Sequence, residues 1–135
     1  MLVAAHPLRR VRGSVLHLLE PISFWGGVSP ATGRLTDTRS REHGNSITNT
    51  ILLIRNLRGS SSASSVLLEL IYRGLAPAAL VLDSPDAILA LGALVATELG
   101  LASPPILRLP SREQACFQSG VLLSVNPDGT LFSSG

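Results

Sequence analysis

Twice in this chain a short, wholly apolar run gives way to a stretch with helical spacing, and that alternation narrows the possible folds more than any other feature. Ile51 to Ile54 is rich in branched residues and reads as an interior strand. After it, Val66, Leu67, Leu70 and Ile71 share one helical face in VLLELIY, and Gly74 supplies the stop. Ala78 to Leu82 is a second buried strand. Ser84-Pro85-Asp86 then predicts a helix start, with Ser84 as N-cap, Pro85 at the first helical position and Asp86 against the positive end of the dipole. Ile88, Gly92, Val95 and Leu99 fall on one face of that helix, where Gly92 allows close approach to a sheet and Gly100 ends the run. Strand, helix, strand and helix in succession call for right-handed crossovers and at least two parallel strands.

Gly13 to Leu19, Ile106 to Leu109, Val121 to Val125 and Thr130 to Phe132 add short strands, the last two joined by the hairpin turn Asn126-Pro127-Asp128-Gly129. The fold class is therefore α/β: a mixed sheet or partial barrel with flanking helices and a C-terminal β-hairpin. At 135 residues, positions 1–135 form one domain. An apolar fraction of 45 % against 15 % charged residues excludes global disorder. The longest apolar stretch, the eleven residues AILALGALVAT from Ala87 to Thr97, reads as a buried helix, because a membrane span needs roughly 20 such residues.

Eleven arginines and no lysine leave a net charge of +2. Arg9, Arg10 and Arg12 are the one dense basic cluster and lack interleaved aromatics, so nucleic acid is not an expected partner. His6, His17 and His43 have no ligand spacing, and the lone Cys116 cannot form an internal disulfide, a C-x-x-C pair or an iron-sulfur site by itself. Cys116 reads as a small buried hydrophobe. The start, MLVAAHPLRR, lacks the order of a secretory signal, and a cytoplasmic protein is expected.

Two polar segments remain to be explained. The thirty residues from Pro21 to Thr50 are rich in glycine, serine, threonine and proline, with turns at Ser29-Pro30 and Thr32-Gly33. Polar loops of that length are mobile or functional. Phe24 and Trp25 beside Gly26-Gly27 indicate that this one folds back and is packed, and Trp25 reads as packing rather than recognition. Asp37 reads as an Asx-turn, with a polar site contact as the alternative. The second segment, Arg58-Gly59-Ser60-Ser61-Ser62, leaves a buried strand and enters a helix. Exposed amides, serine hydroxyls and the dipole make such a junction a receptor for carboxylate or phosphate, with Arg58 placed to pair with the anion. A serine-capped helix start with no ligand is the competing reading. The lysine of G-x-x-x-x-G-K-[ST] and the second glycine of G-x-S-x-G are both absent.

Taken in order, EPISFWGGVSPATGRLTD, HGNSI, RGSSSASSVLLELIYRGLAPAALVL, DAILALGALVATEL, Pro104-Pro105 and VLLSVNPDGTLF resemble the small subunit, or swivelling domain, of the aconitase X family. The resemblance implies an aconitase-like swivelling β/α domain that covers a larger catalytic subunit holding an iron-sulfur cluster, with no cofactor bound by this chain alone. It implies a hydro-lyase acting on a hydroxy acid, either cis-3-hydroxy-L-proline or phosphomevalonate. Ser60 matches the family's proton acceptor, Gly59, Ser61 and Ser62 its neighbours in substrate binding, and Arg58 the basic residue before the glycine. Ser29 departs from the family's G-G-V-D-P, and Leu57 from a residue often glycine. An alternative from a different class is a non-catalytic anion-binding regulatory module.

Overall fold

The computed structural model describes residues 10–133. Arg9 and His6, which entered the charge and metal arguments, and most of the start weighed as a secretory signal, lie outside those residues. The elements run β1 (Val11–Leu18), α1 (Phe24–Gly27), β2 (Ile51–Ile54), α2 (Ala63–Tyr72), β3 (Ala79–Leu82), α3 (Ala87–Glu98), β4 (Ile106–Arg108), α4 (Ser111–Gln114), β5 (Leu122–Val125) and β6 (Leu131–Ser133).

All six strands form one mixed sheet in the order β4-β3-β2-β1-β5-β6. β1 to β4 are mutually parallel, whereas β5 pairs antiparallel with both β1 and β6. β1 serves both halves: Val15 to Leu18 pair with β2, and Val11 to Ser14 pair with β5. ILLI and ALVL are apolar at every position because both of their faces are buried, as parallel strands require.

One face, carrying Leu16, Leu18, Leu52, Ile54, Leu80, Leu82 and Ile106, packs against α2, α3 and the long loop. On the other face Leu107 of β4 shares an apolar cluster with Leu123 and Val125 of β5. Val15, Ile51, Leu53, Ala79 and Val81 make that cluster continuous across the intervening strands, and the sheet is curled into a half-barrel. The expected mixed sheet, flanking helices and terminal hairpin are all present, the hairpin closed by Asn126 N–H to the Thr130 carbonyl at 2.9 Å. No helix among the described residues is long and apolar enough to cross a membrane.

The long loop does fold back. Ile22, Phe24, Val28, Leu35 and Ile47 enter the helix-side core, and the paired turn signals make a single tight turn between bridged Val28 and Leu35. Its aromatic pair divides, however. Phe24 is fully buried, whereas Trp25 is 63 % exposed, so Trp25 is not core packing.

Several expectations for α3 and its surroundings are corrected. The helix begins two residues later than the Ser84 cap implied: Asp86 is the N-cap, its carboxylate accepting the Leu89 amide at 2.9 Å. Asp caps as well as Ser does, and choosing it moves Pro85 outside the helix. The buried stripe is Leu89, Gly92, Ala93 and Ala96 instead of Ile88, Gly92, Val95 and Leu99. Leu91, Leu94, Val95 and Leu99 face outward, so AILALGALVAT is a half-exposed helix. Uniform apolarity carries no period, and the eye cannot then find the face. Gly92 does serve close approach, but to helix α2 and not to the sheet: a Cβ there would stand 2.8 Å from the Ser64 carbonyl oxygen. Cys116 is exposed, not a buried hydrophobe. Gly74 and Gly100 end α2 and α3 with positive φ, as expected.

Candidate active site at the carboxyl ends of the parallel strands

In a sheet whose parallel strands feed helices on one face, the carboxyl ends of the strands are where loops converge and ligands are held. Here those loops are Leu19 to Ile22 after β1, Arg55 to Ser62 after β2, Asp83 to Asp86 after β3 and the segment into α4 after β4. The first two are laced together. The Ile22 amide donates to the Asn56 carbonyl at 3.1 Å, the Arg58 amide donates to the Ile22 carbonyl at 2.7 Å, and Ile22 and Leu57 form a parallel bridge. Leu57 packs against the helix-side core, so the residue standing in place of a common glycine anchors the approach to the serine turn.

Past Leu57 the chain rises into solvent. Arg58, Gly59 and Ser61 are exposed, and Ser60 and Ser62 are half-buried. Ser60 makes an ST-turn: its Oγ accepts the Ser62 amide at 3.3 Å while its carbonyl accepts the Ala63 amide at 3.1 Å. An N–H aimed at a hydroxyl oxygen stabilises negative charge on that oxygen more than it stabilises the neutral hydroxyl. The expected serine cap is not formed by the residue at the cap position, because the Ser62 side chain makes no bond to the first turn of α2. Gly59 is not demanded by the fold. A Cβ there would meet nothing within 4 Å, and its backbone is not left-handed.

Asp37 is brought to the same rim. Its carboxylate forms the expected Asx-turn with the Arg39 amide at 3.0 Å and is clamped by the Arg39 guanidinium through two contacts of 3.1 Å. The guanidinium, then the amide, hold the carboxyl below the usual carboxylate range, and the charge on Arg58 lowers it further. Thr36 ties this turn to the aromatic pair, its amide donating to the Gly27 carbonyl at 2.9 Å and its hydroxyl to the Gly26 carbonyl at 3.0 Å. α1 in turn packs beside α2. Gly27 abuts Ile22, whose carbonyl takes the Arg58 amide, so the α1 break, the Asp37 turn and the approach to the serine turn meet around Ile22.

Three polar residues at this end carried no usable sequence signal. Asp83 receives the Ser111 amide at 2.6 Å, which holds its carboxyl low and staples the β3 end to α4. Fully buried Gln114 donates through Nε2 to the Ile54 carbonyl at 3.1 Å and the Leu109 carbonyl at 2.9 Å, satisfying backbone oxygens where the sheet ends. His17, inside the half-barrel, meets the Phe117 carbonyl through Nδ1 at 3.1 Å, so Nδ1 carries the proton and Nε2 is bare. Burial depresses its pKa, the Phe117 bond opposes that, and the Arg55 charge adds to the depression. Gln114, among polar neighbours, looks like a surface residue until the fold buries it, and His17 gives no sign of its partner. Among the described residues no three His, Cys, Asp or Glu side chains gather as metal ligands, so these residues do not fit an iron-sulfur cluster.

A larger concavity lies elsewhere. A cavity of about 540 Å³ opens at the amino ends of the strands, lined by Arg12, Asn49, Ala78, Ser103 and Pro105 among others. Just before the serine turn, a cleft of about 100 Å³ lies between Arg55 to Leu57 and Asp83 to Asp86. The serine turn is a convex ridge, which by itself cannot exclude water from a substrate.

A family model of the aconitase X swivel domain matches residues 5–133, and the chain belongs to that family. It is similar to the cis-3-hydroxy-L-proline dehydratase of Pseudomonas aeruginosa, 47 % identical over 100 residues that make up 74 % of this chain but 17 % of that protein. It is also similar to the phosphomevalonate dehydratase small subunit of Methanothermobacter thermautotrophicus, 42 % identical over 85 residues, 63 % of this chain and 65 % of that one. Among solved structures, the holo-form of aconitase X from Thermococcus kodakaraensis superposes with a TM-score of 0.81 at 28 % identity, covering 93 % of this chain and 91 % of the other. The family is one of dehydratases. This chain spans a sixth of the first relative and just under two thirds of the second.

Proposed function

We propose that this chain is the swivelling small unit of an aconitase X hydro-lyase, and that with a larger catalytic unit it dehydrates cis-3-hydroxy-L-proline to Δ1-pyrroline-2-carboxylate. The observation that carries this reading is the ridge itself: a serine whose oxygen accepts a backbone amide, on an open turn flanked by an arginine and leading into a helix start. Ser60 accepts the C2 proton as an alkoxide. Its stabilisers in this chain are the Ser62 amide, the dipole of α2 and the nearby guanidinium of Arg58. Arg58, Gly59, Ser61 and Ser62 hold the substrate carboxylate, and Asp37 is the polar contact from the long loop. The C2–H electrons form the C2=C3 double bond as the C3–O bond breaks, and the resulting enamine tautomerises to the cyclic imine. Nothing described here reaches the departing hydroxyl. That half of the reaction, and the iron-sulfur cluster the family resemblance implies, belong to the larger unit.

A convex ridge becomes a pocket only when a second body closes over it, which is the reason for a swivelling unit. Identity favours the hydroxyproline substrate, 47 % against 42 % for the phosphomevalonate relative. The second reading, phosphomevalonate, is supported by the similarity to phosphomevalonate dehydratase small subunits, 42 % and 37 % identical. Side-by-side assays of both substrates with the reconstituted complex test the choice. Turnover of cis-3-hydroxy-L-proline alone is expected; equal or greater activity on phosphomevalonate reverses it, and no turnover of either defeats the hydro-lyase reading.

A further inference from the structure

The chain has one tryptophan, and the fold goes to some trouble to hold it in water. α1 is a helical turn broken at Trp25, which adopts extended torsion angles, and at Gly26, whose φ is 82°. The break sends Phe24 inward and Trp25 outward. Behind Trp25 the support is rigid: Phe24 is fully buried, a Cβ on Gly27 would strike Ile22 at 2.8 Å, and Thr36 ties down the carbonyls of both Gly26 and Gly27. An indole 63 % exposed on a mobile tip would be unremarkable. On a pinned tip it is a preformed knob, and preformed aromatics beside arginines are what dominate protein interfaces.

We infer that Trp25 is the anchor by which this domain docks onto the larger aconitase X unit, its indole seated in an apolar pocket of that unit. This rests on the reading of the chain as a swivelling small unit. Two observations select that occupant. The broken α1 turn, the Asp37 turn and Arg58 meet around Ile22, so whatever covers the serine turn meets the indole. The Pseudomonas relative continues for more than four fifths of its length beyond the matched region, so this domain has a large neighbour there.

The single tryptophan makes the test direct. The full chain, grown with 5-fluorotryptophan, is titrated with the unlabelled larger unit co-expressed from the same organism, with the fluorine resonance and the binding isotherm followed together. The resonance is expected to shift and lose solvent accessibility at saturation, and Trp25→Ala to weaken binding tenfold or more with an unchanged circular dichroism spectrum and melting temperature. Trp25→Phe should recover part of the affinity. Binding by Trp25→Ala within tenfold of wild type overturns the anchor while leaving the proposed function standing. A shift produced by substrate alone, or by raising the concentration of this chain alone, also overturns it, assigning the indole to ligand recognition or self-association. If wild type does not bind the larger unit at all, the proposed function fails and the anchor with it.

Discussion

The two crossovers, β2–α2–β3 and β3–α3–β4, follow one plan and begin in opposite ways. α3 starts closed: Asp86 puts a carboxylate on the first turn, and Asp83 behind it is engaged by the Ser111 amide. α2 starts open. Ser62 at its cap makes no side-chain bond, and the residues leading in are a cation, a glycine with free space around it and three serines. Closing a helix start with an acid satisfies its amides and fills its positive end, which leaves nothing for a ligand anion. An open start retains both. That is why we propose the site at α2 and not at its structural twin, a difference set by which residue type precedes each helix.

The sharpest way to break that comparison is Ser60→Ala in the assembled enzyme. Losing one 3.3 Å turn bond on a half-buried residue costs about 1 kcal/mol or less, and assembly and substrate binding should survive. The chemical step should fall by about 10² to 10⁴, the contribution of a positioned general base. Ser64→Ala, inside α2, is the matched control and should lose little. Equal rates in the two variants would return Ser60 to a turn-forming role. Gly59→Ala separates site from scaffold in the same assay: with open space and a permissive backbone it should be neutral or stabilising by up to about 1 kcal/mol, yet slow turnover by crowding the carboxylate.

That contrast also marks what the sequence could tell. Strands ILLI and ALVL, helix α2 and the terminal hairpin were legible because each carries either an unbroken apolar run between turn residues or a clean 3.6-residue period. The serine turn was legible because glycine and three serines between a strand and a helix have few other uses. α3 was legible as a helix and illegible as a surface: Leu89 and Leu91 are equally apolar, and only the position of α2 decides which one is buried. Cys116 and Trp25 failed for a related reason. Average burial preferences describe residue types, and exposure at these two positions is set by where α4 and the broken α1 turn lie on the surface. Gln114 and His17 were invisible because their partners, the carbonyls of Ile54, Leu109 and Phe117, exist only after the sheet has formed.

Gly92→Ala tests whether the two crossovers are mechanically joined. The added methyl would sit 2.8 Å from the Ser64 carbonyl oxygen, a backbone atom that cannot rotate away. Overpacking costs about 1 to 3 kcal/mol, against the roughly 1 kcal/mol that alanine gains over glycine inside a helix. Net destabilisation is expected in urea titration, with a further loss of activity because Ser64 lies in the first turn of α2. A stabilised variant would show that the helices have room to part and that the two crossovers are independent.

The smallest effects come from exchanging the two beginnings. Asp86→Ala removes a formed cap and should cost about 1 kcal/mol, whereas Ser62→Ala removes none and should stay within about 0.5 kcal/mol. Chemical denaturation resolves that gap; equal costs would mean that the asymmetry is one of geometry and not of energy. Ser62→Asp goes further by closing α2 the way α3 is closed. A carboxylate there should accept a first-turn amide and stabilise the fold by about 0.5 to 1 kcal/mol. The same charge would occupy the positive end that the substrate carboxylate and the Ser60 alkoxide need. Activity should then drop by about two- to fivefold, the weight of one charge at a helix terminus, and the drop should shrink as salt is raised. A variant that gained stability and kept full activity would show that the open start of α2 is not what holds the anion.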